Sequence, residues 1–247
     1  MKNKKKFVIV IPARYQSSRF PGKPLVNING KVLLQHVYDK CVSAVNKKLI
    51  YVATDDKRIL NYCFLNNIQC LMTSKKCKTG TDRIFEVSKK IKAFNYINIQ
   101  GDEPLIEKSN IKKFLKKSLK KKNAIFIAQS KISYKNSKNI NIPKIVTNNK
   151  SELLYISRSG IPGNKEFKMN KKYFGQVNLY SYPSKILKKN LFNIKSKNEI
   201  LEDIEILRFL DNGYKINVVN LKSNNHPVDV PNDVKIIKKL LKKKSIN

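Results

Sequence analysis

At 247 residues the chain can bury a sizeable core as one α/β domain, or as one domain with a modest excursion. Its formal charge of +35, from 52 Lys and Arg against 17 Asp and Glu, would ordinarily point to nucleic acid or an anionic surface. The cations argue otherwise: only six are arginine, the residue favoured for base contacts, and the lysines are spread over every predicted helix instead of lining one face.

Met1 to Lys6 is basic and precedes an apolar run, but Pro12 and Arg14 end that run before a secretory signal is complete. No later segment approaches the ~18 apolar residues of a membrane span, so a cytoplasmic chain is expected. Phe7 to Ile11 is continuous and β-branched, the pattern of a strand buried on both faces. Helical apolar spacing follows over Val32 to Val45, then a strand at Leu49 to Ala53, a helix at Arg58 to Leu65 and a strand at Gln69 to Met72. The alternation continues with a helix at Ile84 to Ile91, a strand at Tyr96 to Gln100, a helix at Ile111 to Leu119 and a strand at Ala124 to Gln129. Such alternation predicts an α/β fold with crossover helices.

Lys131 to Lys172 breaks the rhythm. It is rich in Asn and Lys and holds short strand candidates at Lys144 to Thr147 and Leu153 to Ser157. Beyond it come a strand at Val177 to Tyr180, a helix at Glu199 to Asp211 closed by Gly213, a strand at Lys215 to Val219, and a basic terminal helix at Lys235 to Lys244 whose charges read as a solvated face. The whole predicts a single domain over 1–247 with an excursion at about 131–180. Cys41, Cys63, Cys70 and Cys77 form no C-x-x-C pair and have no His at ligand spacing, so reduced thiols are expected and zinc is not. His36 sits in an apolar helical pattern as a packed histidine, and His226 receives no role.

Chemistry concentrates in a few segments. Ile9 to Leu25 runs from a strand into a loop with three cations, Arg14, Arg19 and Lys23, stiffened by Pro12, Pro21 and Pro24 and turned by Gly22. The end of a parallel strand is where open α/β sheets hold ligands, and this charge suits a polyanion. The loop is neither a P-loop nor a G-x-G-x-x-G turn. Ile97 to Pro104 is an apolar strand ending in Gln100-Gly101-Asp102-Glu103. Asp102 there suits magnesium, which takes one or two carboxylates beside substrate phosphates, although an Asx turn is the alternative.

The order and content of these segments resemble the sugar-acid cytidylyltransferase family, most closely its 3-deoxy-manno-octulosonate (Kdo) group. Ile11-Pro12-Ala13-Arg14, Ser17, Arg19 and Pro21-Gly22-Lys23-Pro24-Leu25 fill every fixed position of the first motif. Thr79-Gly80-Thr81-Asp82-Arg83, Gln100-Gly101-Asp102-Glu103-Pro104, Tyr155 to Pro162, Glu199 to Arg208 and Val228-Asp229-Val230-Pro231 follow in family order. The resemblance implies a three-layer nucleotidyltransferase fold, Rossmann-like and glycosyltransferase-A-like, with a mostly parallel sheet and a small β excursion. It implies transfer of CMP from CTP to Kdo, giving CMP-Kdo and pyrophosphate for lipopolysaccharide synthesis, with Mg²⁺ ions at Asp102 and Asp229 and Arg14 and Lys23 drawing charge from the triphosphate. CTP would meet Ala13, Arg14, Ser17, Arg19, Lys23, Thr79, Gly80, Thr81, Arg83 and Gln100, although Arg83 could equally support its own loop.

The same resemblance places the sugar acid at Gln100, Arg158, Gln176, Tyr180 and Glu205. Arg158 is the candidate carboxylate clamp, because a planar guanidinium matches a carboxylate, and Glu205 the acceptor for sugar hydroxyls. The neighbouring acids Glu199 and Glu202 read as helix-surface partners for Lys. One position departs from the pattern: Asn178 stands where Gly is usual. That leaves open an 8-amino analogue or a sialic-acid-like acceptor. A basic nucleic-acid or membrane-binding protein without activity is the rival of a different class. The family implies a homodimer, with the excursion contributing to the contact.

Overall fold

A computed structural model describes residues 4–163, 172–187, 189–192, 195–223 and 226–244. The chain divides into two compact units, residues 1–112 with 224–247, and residues 113–223. The architecture is α/β, with a mostly parallel sheet.

In the first unit β1 (Lys5–Pro12) leads to a hairpin of β2 (Asn27–Ile28) and β3 (Lys31–Val32). The hairpin turn is Asn29-Gly30, both at positive φ (52° and 86°), the dipeptide suited to a tight type I′ connection. The unit continues through α1 (Leu33–Ala44), β4 (Ile50–Thr54), α2 (Lys57–Leu65), β5 (Cys70–Met72), α3 (Gly80–Lys90) and β6 (Ala93–Ile99). Next, α4 (Lys108–Ser118) crosses the unit boundary in sequence. The strand order is β6-β1-β4-β5, all parallel, with Val10 opposite Asn98 and Pro12 opposite Ala53. Val8 to Ile11 are wholly buried, as the unbroken apolar run predicts for a central parallel strand. Because these strands run the same way, the residues that follow β1, β4 and β6 emerge at one edge.

In the second unit β7 (Ile125–Ile132), α5 (Tyr134–Ser137), β8 (Lys144–Thr147), β9 (Leu153–Ser157) and β10 (Tyr173–Pro183) precede α6 (Lys197–Glu202), α7 (Leu207–Asp211) and β11 (Ile216–Leu221). The excursion strands pair antiparallel, β9 with β8 and β8 with β10, while β10 runs antiparallel and β11 parallel to β7. Gly175 gives the close approach here: a Cβ on it would lie 2.8 Å from Ile142 Cγ2 and 2.9 Å from Ile132 Cγ2.

Two expectations are corrected in this unit. The single helix expected from Glu199 to Asp211 is broken, with Asp203 at φ 48° between α6 and α7, so Glu205 lies in a turn. Glu199 is also no surface partner for Lys. It is 1% exposed and forms a forked pair with Arg208, at 2.6 and 2.9 Å. Glu202 turns to Ser157 and the Arg158 main chain, again not to Lys.

The last helix, α8 (Pro231–Lys244), returns to the first unit. Lys235, Lys238, Lys239, Lys242 and Lys243 face solvent, but Ile237 is wholly buried, packed with Ile28, Leu33, Leu105 and Val228. Each such burial contributes about 1.5–3 kcal/mol, which ties the C-terminal segment to the loop after β1.

Candidate active site

The loop after β1 is held by its own backbone. Gly22 sits at φ 74° and donates to Tyr15 O at 2.8 Å, and a short 3-10 turn at Lys23–Leu25 follows it. A left-handed φ of this kind favours glycine. Tyr15 lies against Gly22 and is stacked by the Arg58 guanidinium, 3.2 Å from the ring centroid. Lys23 thereby leaves a rigid turn with its side chain only 16% exposed.

Beyond β6 the chain turns sharply at Gly101, whose added Cβ would lie 2.9 Å from Pro12 O. No larger residue fits without moving β1. Asp102 follows, and its carbonyl accepts a hydrogen bond from Val228 N at 2.9 Å. That bond and the burial of Val228 draw Asp229 beside Asp102, although 126 residues separate them in the chain. Asp233 accepts from the N–H groups of Asp229 and Val230 (2.8 and 2.9 Å), so it caps the entry to α8 and leaves Asp229 as the site carboxylate.

The two acids converge on one ammonium. Lys23 Nζ lies 2.7 Å from Asp102 Oδ2 and 3.6 Å from Asp229 Oδ1, and Arg19 reaches Asp229 Oδ1 at 3.2 Å. The other Asp102 oxygen, Oδ1, is buried without a hydrogen-bond partner. A buried acceptor left unpaired costs about 1–3 kcal/mol, more when charged, and a cation would relieve that cost. Among the described residues no cluster of three or more His, Cys, Asp or Glu forms a metal cage. Two carboxylates with substrate phosphates are nevertheless the set that magnesium accepts, so the residues present fit Mg²⁺.

At the same strand edge α3 begins. Thr79 caps it in a reciprocal capping box with Asp82, and Gly80 lies so close that a Cβ there would be 2.8 Å from Gln100 Nε2 and 3.2 Å from Pro12 Cγ. Thr79, Gly80 and Gln100 are thus neighbours, and the helix N-terminus presents N–H groups beside the basic loop. Thr81 is wholly buried, Ala13 is 3% exposed and donates to Ala53 O at 2.9 Å, Ser17 is half-buried, and Arg14 is exposed. Arg83 lies beneath the turn at 3% exposure, where its guanidinium bonds Asp55 and Thr73, both at 2.7 Å.

In the second unit three of the five N–H groups of the Arg158 guanidinium go to main-chain carbonyls. They donate to Glu202 O (2.7 Å), Asp203 O (3.0 Å) and Ile140 O (3.1 Å), which caps the C-terminal end of α6. Gln176 bonds the Tyr180 hydroxyl, and Glu205 is half-buried. Asn178 falls where the β10–β7 register shifts between Val177 and Tyr180. Its φ is not positive, so Asn replaces Gly there without backbone strain.

Sequence reasoning missed Asp55, Lys144, Glu202 and Asn98. Asp55 and Glu202 look like any surface acid until their arginine or main-chain partners are placed. Lys144 is one lysine among dozens. Asn98 is wholly buried beside Gly80 with neither amide atom paired, and the one signal for it is a polar residue inside a continuous apolar strand.

Comparison with known proteins places the whole chain in a family. A family model described as cytidylyltransferase matches residues 8–218. The mitochondrial 3-deoxy-manno-octulosonate cytidylyltransferase of Arabidopsis thaliana is 37% identical over 251 aligned positions, covering 100% of this chain and 87% of that protein. The 8-amino-3,8-dideoxy-manno-octulosonate cytidylyltransferase of Shewanella halifaxensis is 36% identical, over 92% of this chain and 95% of its own. A solved structure of CMP:2-keto-3-deoxy-manno-octonic acid synthetase complexed with CTP superposes with a TM-score of 0.90 at 33% identity, covering 97% of this chain and all of that one. With its first motif complete and its fold shared end to end with such an enzyme, the chain belongs to the cytidylyltransferase family, in its 3-deoxy-manno-octulosonate branch.

Proposed function

We propose that the protein transfers CMP from CTP to 3-deoxy-D-manno-octulosonate, releasing pyrophosphate. The observation that carries this reading is the convergence of Asp102, Asp229, Lys23 and Arg19 on one point at the end of β1 and β6. The anomeric hydroxyl attacks the α-phosphorus of CTP and loses its proton to solvent, the bond from that phosphorus to the bridging oxygen breaks, and pyrophosphate leaves with the electron pair. Arg14, Arg19 and Lys23 draw charge from the β- and γ-phosphates as the leaving group develops it. Asp102 and Asp229 would hold Mg²⁺, which when bound polarises the phosphate and acidifies the attacking hydroxyl. Gln100 and the Thr79 to Thr81 turn face the nucleoside, with Ala13 and Ser17 as backbone and hydroxyl contacts and Arg83 as support for the turn.

The acceptor is assigned to Arg158, Gln176, Tyr180 and Glu205 of the second unit. Its 8-amino analogue is the second reading, favoured by the Shewanella relative at nearly the same identity as the plant one. Exposed Ile140, Leu154, Ile200 and Leu201, at 55–71% exposure on the second unit, supply apolar surface for a homodimer. Among the described residues no helix is long and apolar enough to cross a membrane, and the four free cysteines fit a reducing cytoplasm.

The test is pyrophosphate release from CTP and Mg²⁺ with Kdo, with its 8-amino analogue and with a sialic acid. Release with Kdo supports the first reading, and release with the analogue alone supports the second. Release with none, from folded protein, refutes both.

A further inference from the structure

Lys144 is the only lysine among the described residues that is buried, and its exposure is 0%. It stands on β8, opposite Ser157 of β9 on one side and Gly175 of β10 on the other. Among the described residues no carboxylate lies within ion-pair distance of its ammonium, which instead donates to two main-chain carbonyls, Asn139 O at 3.0 Å and Arg158 O. Burying an ammonium costs several kcal/mol, and a methionine would fill the same space with no such cost. Stability alone therefore does not account for the charge, and a lysine-rich composition places lysines on the surface rather than inside a sheet.

The ammonium is one side of a clamp around a single residue. Glu202 supplies the other side: its carboxylate accepts from Arg158 N at 2.9 Å and from Ser157 Oγ at 2.6 Å, while its carbonyl accepts from Arg158 Nε. Both main-chain groups of Arg158 are thus held by buried or half-buried charge, and Ser157 Oγ passes the restraint on by accepting from Ser159 N at 3.0 Å. We propose that Lys144 is a positioning residue, acting with Glu202 to fix the main chain from Ser157 to Gly160 and so the segment that presents Arg158 to the acceptor. The assignment of that segment to the acceptor rests on the function proposed above, whereas the clamp itself rests on the hydrogen bonds.

The experiment compares the wild-type protein with Lys144→Met, Lys144→Arg and Glu202→Gln. Steady-state kinetics give KM for CTP and for Kdo separately, and hydrogen exchange by mass spectrometry follows peptides spanning 153–162 and those of β1 and β6. The expected result for Lys144→Met is at least a tenfold rise in KM for Kdo with KM for CTP within twofold, and exchange at 158–160 at least tenfold faster while β1 and β6 are unchanged. Lys144→Arg, which keeps the charge and the donors, recovers part of both effects. Glu202→Gln gives the same pattern and serves if Lys144→Met does not fold.

Unchanged exchange at 158–160 in the variants overturns the clamp. Equal rises in both KM values, or faster exchange everywhere, show a merely structural lysine and also overturn the proposal. A wild-type protein inactive with Kdo and its 8-amino analogue removes the functional reading instead, and the exchange result still decides the clamp.

Discussion

Lys23 occupies the place between the carboxylates that a cation would take, so its removal has effects of opposite sign on metal binding and on catalysis. In the free protein its ammonium is 2.7 Å from Asp102 and 3.6 Å from Asp229, with 16% of the side chain exposed and about a quarter of each acid. A charged hydrogen bond of this kind contributes about 1.5–3 kcal/mol, and partial exposure argues for the lower half of that range. With Lys23→Ala the two acids, at most about 6 Å apart through the lost ammonium, repel each other by about 3 kcal/mol at an effective dielectric near 20. A divalent cation then no longer displaces an ammonium and also cancels that repulsion. The variant is expected to bind Mn²⁺ in the absence of CTP roughly tenfold or more tighter than wild type. Turnover at saturating Mg²⁺ falls about 10²–10³-fold, because a positioned cation on the leaving group is gone. Calorimetric titration with Mn²⁺ and a pyrophosphate-release assay on the same preparations measure both. Equal or weaker Mn²⁺ binding by the variant would show that ammonium and metal do not share these carboxylates, and would refute the reasoning even if activity were lost.

Asp102→Asn should reduce kcat by two orders of magnitude or more with Tm nearly unchanged, as read by turnover and calorimetry, since loss of the charged bond to Lys23 is offset by neutralising the buried, unpartnered Oδ1. Gly101→Ala places a methyl group 2.9 Å from Pro12 O, so a loss of about 1–3 kcal/mol in urea unfolding is expected, accompanied by lost activity. Arg208→Met leaves Glu199 buried and unpaired at 1% exposure, which costs about 3–5 kcal/mol, and adding Glu199→Gln recovers much of it. The Lys144 ammonium titrates below its ordinary 10.5, first because of burial and then because of Arg158. The folded state therefore releases that proton before the unfolded state does, and this residue's contribution to stability improves as pH rises toward 10.5. Unfolding free energies across that window, wild type minus Lys144→Met, should show the rise, and a flat difference would contradict it.

The central strand Phe7 to Ile11 and the crossover helices were legible in the sequence because apolar run length and 3.6-residue spacing are local properties, as were the cations after β1 and the acidic turn after β6. What the residues could not reveal alone was partnership. Asp229 joins Asp102 through one main-chain bond from Val228 and the packing of α8, contacts across more than a hundred residues that leave no periodic trace. The run from Glu199 to Asp211 has a helical pattern, yet the chain breaks at Asp203, where the exposed carbonyls of α6 meet the Arg158 guanidinium. Glu199 and Glu202 looked like surface acids because burial is decided by what folds over them. Lys144 was indistinguishable from its many neighbours in composition, and only the placement of β8 between β9 and β10 put its charge inside. Local sequence set which segments are strand, helix and loop, and the tertiary structure decided which charges are neighbours, because electrostatic and hydrogen-bonding partners are chosen by distance in space and not by distance along the chain.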